Sequence, residues 1–87
     1  MKYNIIFSKN FKKKLNSFDW GYKEKIKKNF YLMSLWLFQE LDIKELSPKW
    51  NNLYRLRVWK YRIIYEKQDL NLIILVLDIW SRWDIYK

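Results

Sequence analysis

A chain of 87 residues with 18 Lys and Arg against 9 Asp and Glu carries a formal charge of +9, which favours a polyanion or an acidic protein over a neutral metabolite as partner. It has no Cys and no His, and so excludes disulfides, Cys/His zinc sites, Cys nucleophiles and Ser-His-Asp triads. The length suits one domain spanning 1–87 around a single core, too small to bury all of a 21% aromatic content that includes six Trp.

The segment from Tyr3 to Phe7 reads as a short strand with Tyr3, Ile5 and Phe7 on one face. Ser8 then stands where a helix N-cap belongs, and Phe11, Leu15 and Phe18 recur at helical spacing. Lys12, Lys13 and Lys14 read as a solvated helix face. Asp19-Trp20-Gly21 predicts a break. A second helix follows, from about Tyr22 to Phe38, with Ile26, Phe30, Met33 and Leu37 on one stripe. Its second half is apolar almost all round, which implies burial on several sides or cover by another chain. Leu41 to Asn52 reads as a connection, closed by Pro48 and Asn51-Asn52.

From Leu53 to Glu66 apolar and polar residues alternate, as in half-buried strands. A two-residue turn at Trp59-Lys60 sets Val58 opposite Tyr61, Leu56 opposite Ile63 and Tyr54 opposite Tyr65, all on one face. Arg57 then faces Arg62 on the other face, beside Arg55. Like charges directly across a ladder destabilise a sheet by roughly 0.2–1 kcal/mol per pair, so such crowding points to an anion. Lys67 to Asn71 supplies a polar turn. The unbroken apolar run that follows predicts a central strand from Leu72 to Ile79, covered on both faces. The order β-α-α-β-β-β specifies an α+β fold, an antiparallel sheet with a helical hairpin packed on one face. Ile5-Ile6-Phe7 is too short for a signal-peptide core and Leu72 to Leu77 too short for a membrane span, so a cytoplasmic location is expected, with no membrane partner. The scattered carboxylates show no metal-binding spacing; no metal and no cofactor are expected.

The run Leu53-Tyr54-Arg55-Leu56-Arg57-Val58, followed by Tyr61-Arg62-Ile63-Ile64-Tyr65-Glu66, resembles the Tyr-Arg-Leu-Arg-Val-Gly-Asp-Tyr-Arg-Ile-Ile-Tyr-Glu common in the RelE/ParE superfamily of toxins from toxin–antitoxin pairs. With the apolar strand and the terminal Arg82…Tyr86, the resemblance covers nearly the whole chain, and it implies the same β-α-α-β-β-β fold. RelE-like members are ribosome-dependent endoribonucleases that cut mRNA in the A site; ParE-like members inhibit DNA gyrase without catalysis. Arg55 and Arg57 match the basic positions of the second strand of the RelE-like set. Arg62 matches that of the third, Arg82 the Arg after the fourth, and Tyr86 the terminal Tyr. The RelE-like branch is therefore favoured.

That branch implies metal-independent attack of the RNA 2′-OH on the adjacent phosphate. Arg57, Arg62, Arg82 and Tyr86 match its catalytic set, and Arg55 would hold a neighbouring phosphate. From the chemistry of RNA rather than from the resemblance, Lys60 is a further candidate substrate contact, and Trp80, Trp83 or Tyr61 offers a ring on which a splayed base could stack. The RelE-like branch also implies a cognate antitoxin, the ribosome and mRNA as partners, and operator DNA only as the toxin–antitoxin complex. A gyrase inhibitor and an inactive antitoxin-binding relative are the alternatives. The chain departs from the pattern in three places. Trp59-Lys60 replaces the Gly-Asp turn, so that a Trp must take a positive φ or the turn must lengthen. Trp80-Ser81-Arg82 replaces Gly-His-Arg, and Glu45 to Trp50 replaces Lys-Leu-x-Gly.

Overall fold

The structure, a computed structural model, describes residues 2–18, 20–46 and 52–80. Its elements are β1 (Asn4–Phe7), α1 (Lys9–Leu15), α2 (Trp20–Ser34), β2 (Asp42–Glu45), β3 (Leu53–Val58), β4 (Tyr61–Gln68) and β5 (Ile73–Trp80). The five strands form one sheet in the order β1-β5-β4-β3-β2. β2 to β5 make an antiparallel meander, and β1 returns beside β5 in parallel. The α+β class and the helical hairpin on one face are as expected. Two features were not: the parallel edge strand and β2.

β2 lies within the stretch read as a connection. Only Ile43 of its four residues packs against the core, and the rest are polar and exposed. So short and half-polar a segment carries little periodic signal; it becomes a strand because β3 offers it a free edge. Asp42 pairs with Arg57 and Lys44 with Arg55.

The β3–β4 hairpin has the expected register throughout, from Val58 opposite Tyr61 to Tyr54 opposite Tyr65, with Arg57 opposite Arg62. Trp59 takes a φ of 57° and Lys60 a negative one, so the turn keeps two residues. A left-handed conformation costs a non-glycine residue roughly 1–2 kcal/mol. The register survives because a one-residue slip would turn the buried Leu56 and Ile63 out of the core and the arginines into it.

Those core-facing side chains meet the helices. Ser8 caps α1, its Oγ accepting from the Phe11 N–H at 3.1 Å while donating to the Leu77 carbonyl at 2.8 Å. The cap thereby ties the helix to β5, and Phe11 is fully buried. Phe7 stacks on Phe11, and Phe30 meets both edge-on. Ile26, Phe30 and Met33 of α2 complete the cluster with Leu56, Ile63, Tyr65, Ile74 and Val76. Burying a side chain of this size stabilises by about 1.5–3 kcal/mol.

α2 starts at Trp20, inside the predicted break, and stops at Ser34, four residues short of the expected end. Asp19 lies outside the described residues. The Leu37 N–H returns to the Leu32 carbonyl and the Trp36 N–H to the Met33 carbonyl, with Trp36 at a φ of 68°. Those bonds make a Schellman stop with Trp where Gly is usual. Leu37 consequently leaves the buried stripe and is 43% exposed, and a short 3₁₀ turn at Phe38–Glu40 leads into β2. Tyr31 and Trp36 are also exposed, which leaves the apolar second half of the helix partly uncovered. β5 lies inside the sheet, as its apolar run implies. Only one of its faces is fully covered, however: Ile74, Val76 and Ile79 are buried, whereas Ile73, Leu75 and Leu77 are half-buried. Among the described residues no helix is long and apolar enough to cross a membrane.

Candidate nucleic-acid interface

On the sheet face away from the helices, two rows of side chains run across the strands. Strand pairing aligns Asp42, Arg57, Arg62 and Trp80 in one row. Lys44, Arg55, Ile64 and Asp78 form the next. Between them lies a cleft of about 470 Å³ lined by Lys44, Glu45, Leu46, Arg55, Arg62, Ile64 and Trp80. Three cations against one carboxylate make its walls positive. Its floor is Ile64, 6% exposed.

Each basic residue is held differently. The Arg55 side chain is only 18% exposed, and its terminal nitrogen lies 3.5 Å from the Asp42 carboxylate. Its Nε–H is buried and has no hydrogen-bond partner among the described residues. An unsatisfied buried donor costs about 1–3 kcal/mol, more on a charged group, and marks a place where an acceptor is wanted. Arg57 is exposed, and its Nε donates to the Trp59 carbonyl at 3.2 Å. Arg62 is half-buried between Arg57 and Trp80. Lys44, which the sequence reading passed over with β2, adds a cation at the rim. The alternation in Asp42-Ile43-Lys44 was the available signal, but three residues are too few to separate a strand from a polar loop.

Trp80 is oriented by a relay through Asp78. The indole Nε1 donates to Asp78 Oδ2 at 2.9 Å, and Lys14 Nζ reaches Oδ1 at 2.7 Å from α1. Burial by itself would raise the Asp78 carboxyl. The hydrogen bonds from Lys14, Trp80 and its neighbour's Ile79 N–H, with the Lys14 charge, outweigh it and hold the group below the ordinary carboxylate range. Lys14 is thus a structural partner rather than a purely solvated residue.

Lys60 does not line this cleft. Its ammonium sits over the rings of Tyr22 and Tyr61, at 5.7 and 5.4 Å from their centroids. There it joins an aromatic group at the hairpin tip, where Phe18 stacks on Tyr61 and Tyr22 meets Trp59 edge-on. Lys25 lies 5.0 Å over the Trp59 ring. An exposed cation–π contact contributes about 0.5–1 kcal/mol, so the Lys25 contact offsets part of the backbone cost at Trp59. Arg82, Trp83 and Tyr86 lie outside the described residues. Two buried tyrosines are poor bases: burial and the Asp69 hydrogen bond push Tyr3 up to about 12, and burial raises Tyr65 as well.

Residues 5–86 match a family described as the ParE toxin of type II toxin-antitoxin system, parDE. Comparison with curated proteins finds no match. Among solved structures, the archaeal RelE–RelB complex from Pyrococcus horikoshii superposes with a TM-score of 0.81 at 22% identity, over 94% of this chain and 97% of that one. The RelB–RelE antitoxin–toxin complex from Methanococcus jannaschii gives 0.77 at 29% identity, over 93% and 94%. The isolated Escherichia coli RelE toxin gives 0.71 at 16% identity, over 91% and 83%. With its helical hairpin, its five-stranded mixed sheet and a family match over nearly its whole length, the chain belongs to the ParE toxin family and is a type II toxin of RelE/ParE fold.

Proposed function

We propose that the chain is an mRNA endonuclease of the RelE kind, acting in the ribosomal A site and neutralised by a cognate antitoxin in the cytoplasm. The observation that carries this reading is the row Arg57–Arg62–Trp80, set beside an Arg55 whose buried Nε–H lacks an acceptor among the described residues. Guanidinium forks suit phosphate oxygens, and an indole beside them suits an unstacked base.

RNA brings its own nucleophile. The 2′-oxygen attacks the adjacent phosphorus, the bond from phosphorus to the 5′-oxygen breaks, and a 2′,3′-cyclic phosphate and a 5′-hydroxyl result. Arg57 and Arg62 hold the oxygens of the reacting phosphate and stabilise the added charge, which grows in the transition state. Arg55 and Lys44 hold a neighbouring phosphate. Tyr86 takes the 2′-OH proton. Arg82, a poor proton donor, stabilises the leaving 5′-oxygen through a water that supplies its proton. Trp80 and Trp83 stack on the splayed base. The chain needs no metal or cofactor for these steps.

The two archaeal relatives were solved as complexes of RelE with RelB, which supports an antitoxin partner for this chain too. Such a partner would neutralise the basic face and cover the exposed Tyr31, Trp36 and Leu37. Operator DNA would be bound only by the joint complex.

Mapping mRNA 5′ ends after induction tests the reading, with Tyr86→Phe and Arg62→Ala as controls. Codon-phased cuts that require translation and vanish in both variants are expected. Because the matching family is described by its ParE toxin, gyrase inhibition is the second reading. Intact mRNA in arrested cells, with loss of supercoiling by purified gyrase, would favour it. Intact mRNA in normally growing cells would leave an inactive antitoxin-binding relative.

A further inference from the structure

The hairpin tip is built unlike the rest of the sheet. A position that favours Gly, Asn or Asp holds Trp59 at a φ of 57°, and the residue remains 53% exposed. Lys25 lies over that ring and Lys60 over the adjoining Tyr22 and Tyr61. Neither ammonium takes part in an ion pair among the described residues. A large flat surface is therefore bracketed by two cations without a carboxylate partner among the described residues, on a chain of net charge +9. The Arg57 side chain, anchored on the Trp59 carbonyl, links this tip to the basic row.

We propose that Trp59, Lys25 and Lys60 form a second single-stranded RNA contact, in which a base stacks on the indole while the two ammonium groups hold flanking phosphates. The charge selects a polyanion, and the exposed ring selects one whose bases are unpaired. A double helix presents few free base faces, and an acidic peptide has no base to stack. The contact rests on the reading of the chain as RNA-directed only for its choice of RNA. It lies at the tip rather than in the cleft, so it would hold a strand without cutting it.

Titrating the 15N-labelled full chain with a single-stranded 2′-O-methyl oligouridylate, which cannot be cleaved by 2′-OH attack, tests the proposal. The Trp59 indole N–H signal, identified by its absence in Trp59→Gly, should shift saturably. Trp59→Gly relieves the backbone strain and keeps the fold testable. It should weaken binding by roughly 5- to 160-fold, the range for losing one stacked base. Lys25→Gln and Lys60→Gln should each weaken binding and flatten its salt dependence. Shifts at both Trp59 and Trp80 support the tip and the cleft together. A shift at Trp80 alone, with Trp59→Gly binding as before, overturns the tip contact and leaves the cleft reading intact. A shift at Trp59 alone keeps the tip contact and removes the cleft. No shift at either overturns both. Polyglutamate moving Trp59 as strongly as the RNA overturns the choice of nucleic acid.

Discussion

Arg62 stands with Arg57 opposite it on one strand and Trp80 on the other, while the next row sets Arg55 beside Ile64. Such a residue is unfavourable for the empty protein and, on the proposed function, would become favourable beside a phosphate. Stability and function should therefore separate on its replacement. Arg62→Gln relieves a cross-strand like-charge pair and should leave the fold unharmed or more stable by about 0.2–1 kcal/mol in denaturant unfolding. The same variant should lose about 10²-fold or more of RNA cleavage, the usual cost of removing one donor from a charge-stabilising site. Arg55 differs because Asp42 partly satisfies it. The Arg57–Arg62 pairing was legible in the sequence because strand periodicity is local. The orphaned Arg55 Nε–H was not, since burial depends on every element around it.

At the scale of elements, the contact between α1 and the sheet does more than fill the core. Lys14 from the helix and Trp80 from β5 share the Asp78 carboxylate, so the helix sets the angle of the indole that borders the cleft. The Asp78 carboxyl titrates below its ordinary value in the folded chain, and so binds its proton more weakly there than when unfolded. Its contribution is then complete above the unfolded value of about 3.9 and is lost as pH falls through the lower folded one. Acid unfolding below about pH 4 should have a component that Asp78→Asn removes, as measured by urea midpoints across the pH range. At neutral pH the variant should lose stability slightly and loosen Trp80, broadening its indole signal. Trp80 and Asp78 are close in the chain, but Lys14 lies 64 residues from Asp78, a separation no local pattern spans. β2 was missed for a related reason: its strand character comes from its neighbour rather than from its own residues. The early end of α2 reflects a competition of another kind. The apolar run to Phe38 reads as helix, but the return of the chain at Trp36 ends it, and sequence periodicity has no means of registering that reversal.

For the whole molecule, the sheet face carries four cations, Lys44, Arg55, Arg57 and Arg62, against Asp42 and Asp78, and binding to a polyanion should show that excess. If Lys44, Arg55, Arg57 and Arg62 each meet a phosphate, log K for single-stranded RNA should fall against log salt with a slope of about −3, since each contact contributes about −0.7. Filter binding across salt concentrations reads this slope, and each single replacement by Gln should reduce it by about 0.7. A slope near zero would remove the cleft from consideration as a phosphate site. What the sequence determined by itself were the α+β class, the capped first helix, the hairpin register and the set of positive residues on one strand face. All of these follow from short-range periodicity and from chemistry carried within a few neighbouring residues. Only the tertiary structure decided that β1 runs parallel to β5, that β2 closes the sheet with Lys44 and Asp42, that Lys60 turns to the aromatic tip rather than the cleft, and that Trp80 is held through Asp78 by a helix from the other end of the chain. Those features arise where segments distant in sequence compete for the same edge, ring or carboxylate, and that competition is resolved only when the whole core packs.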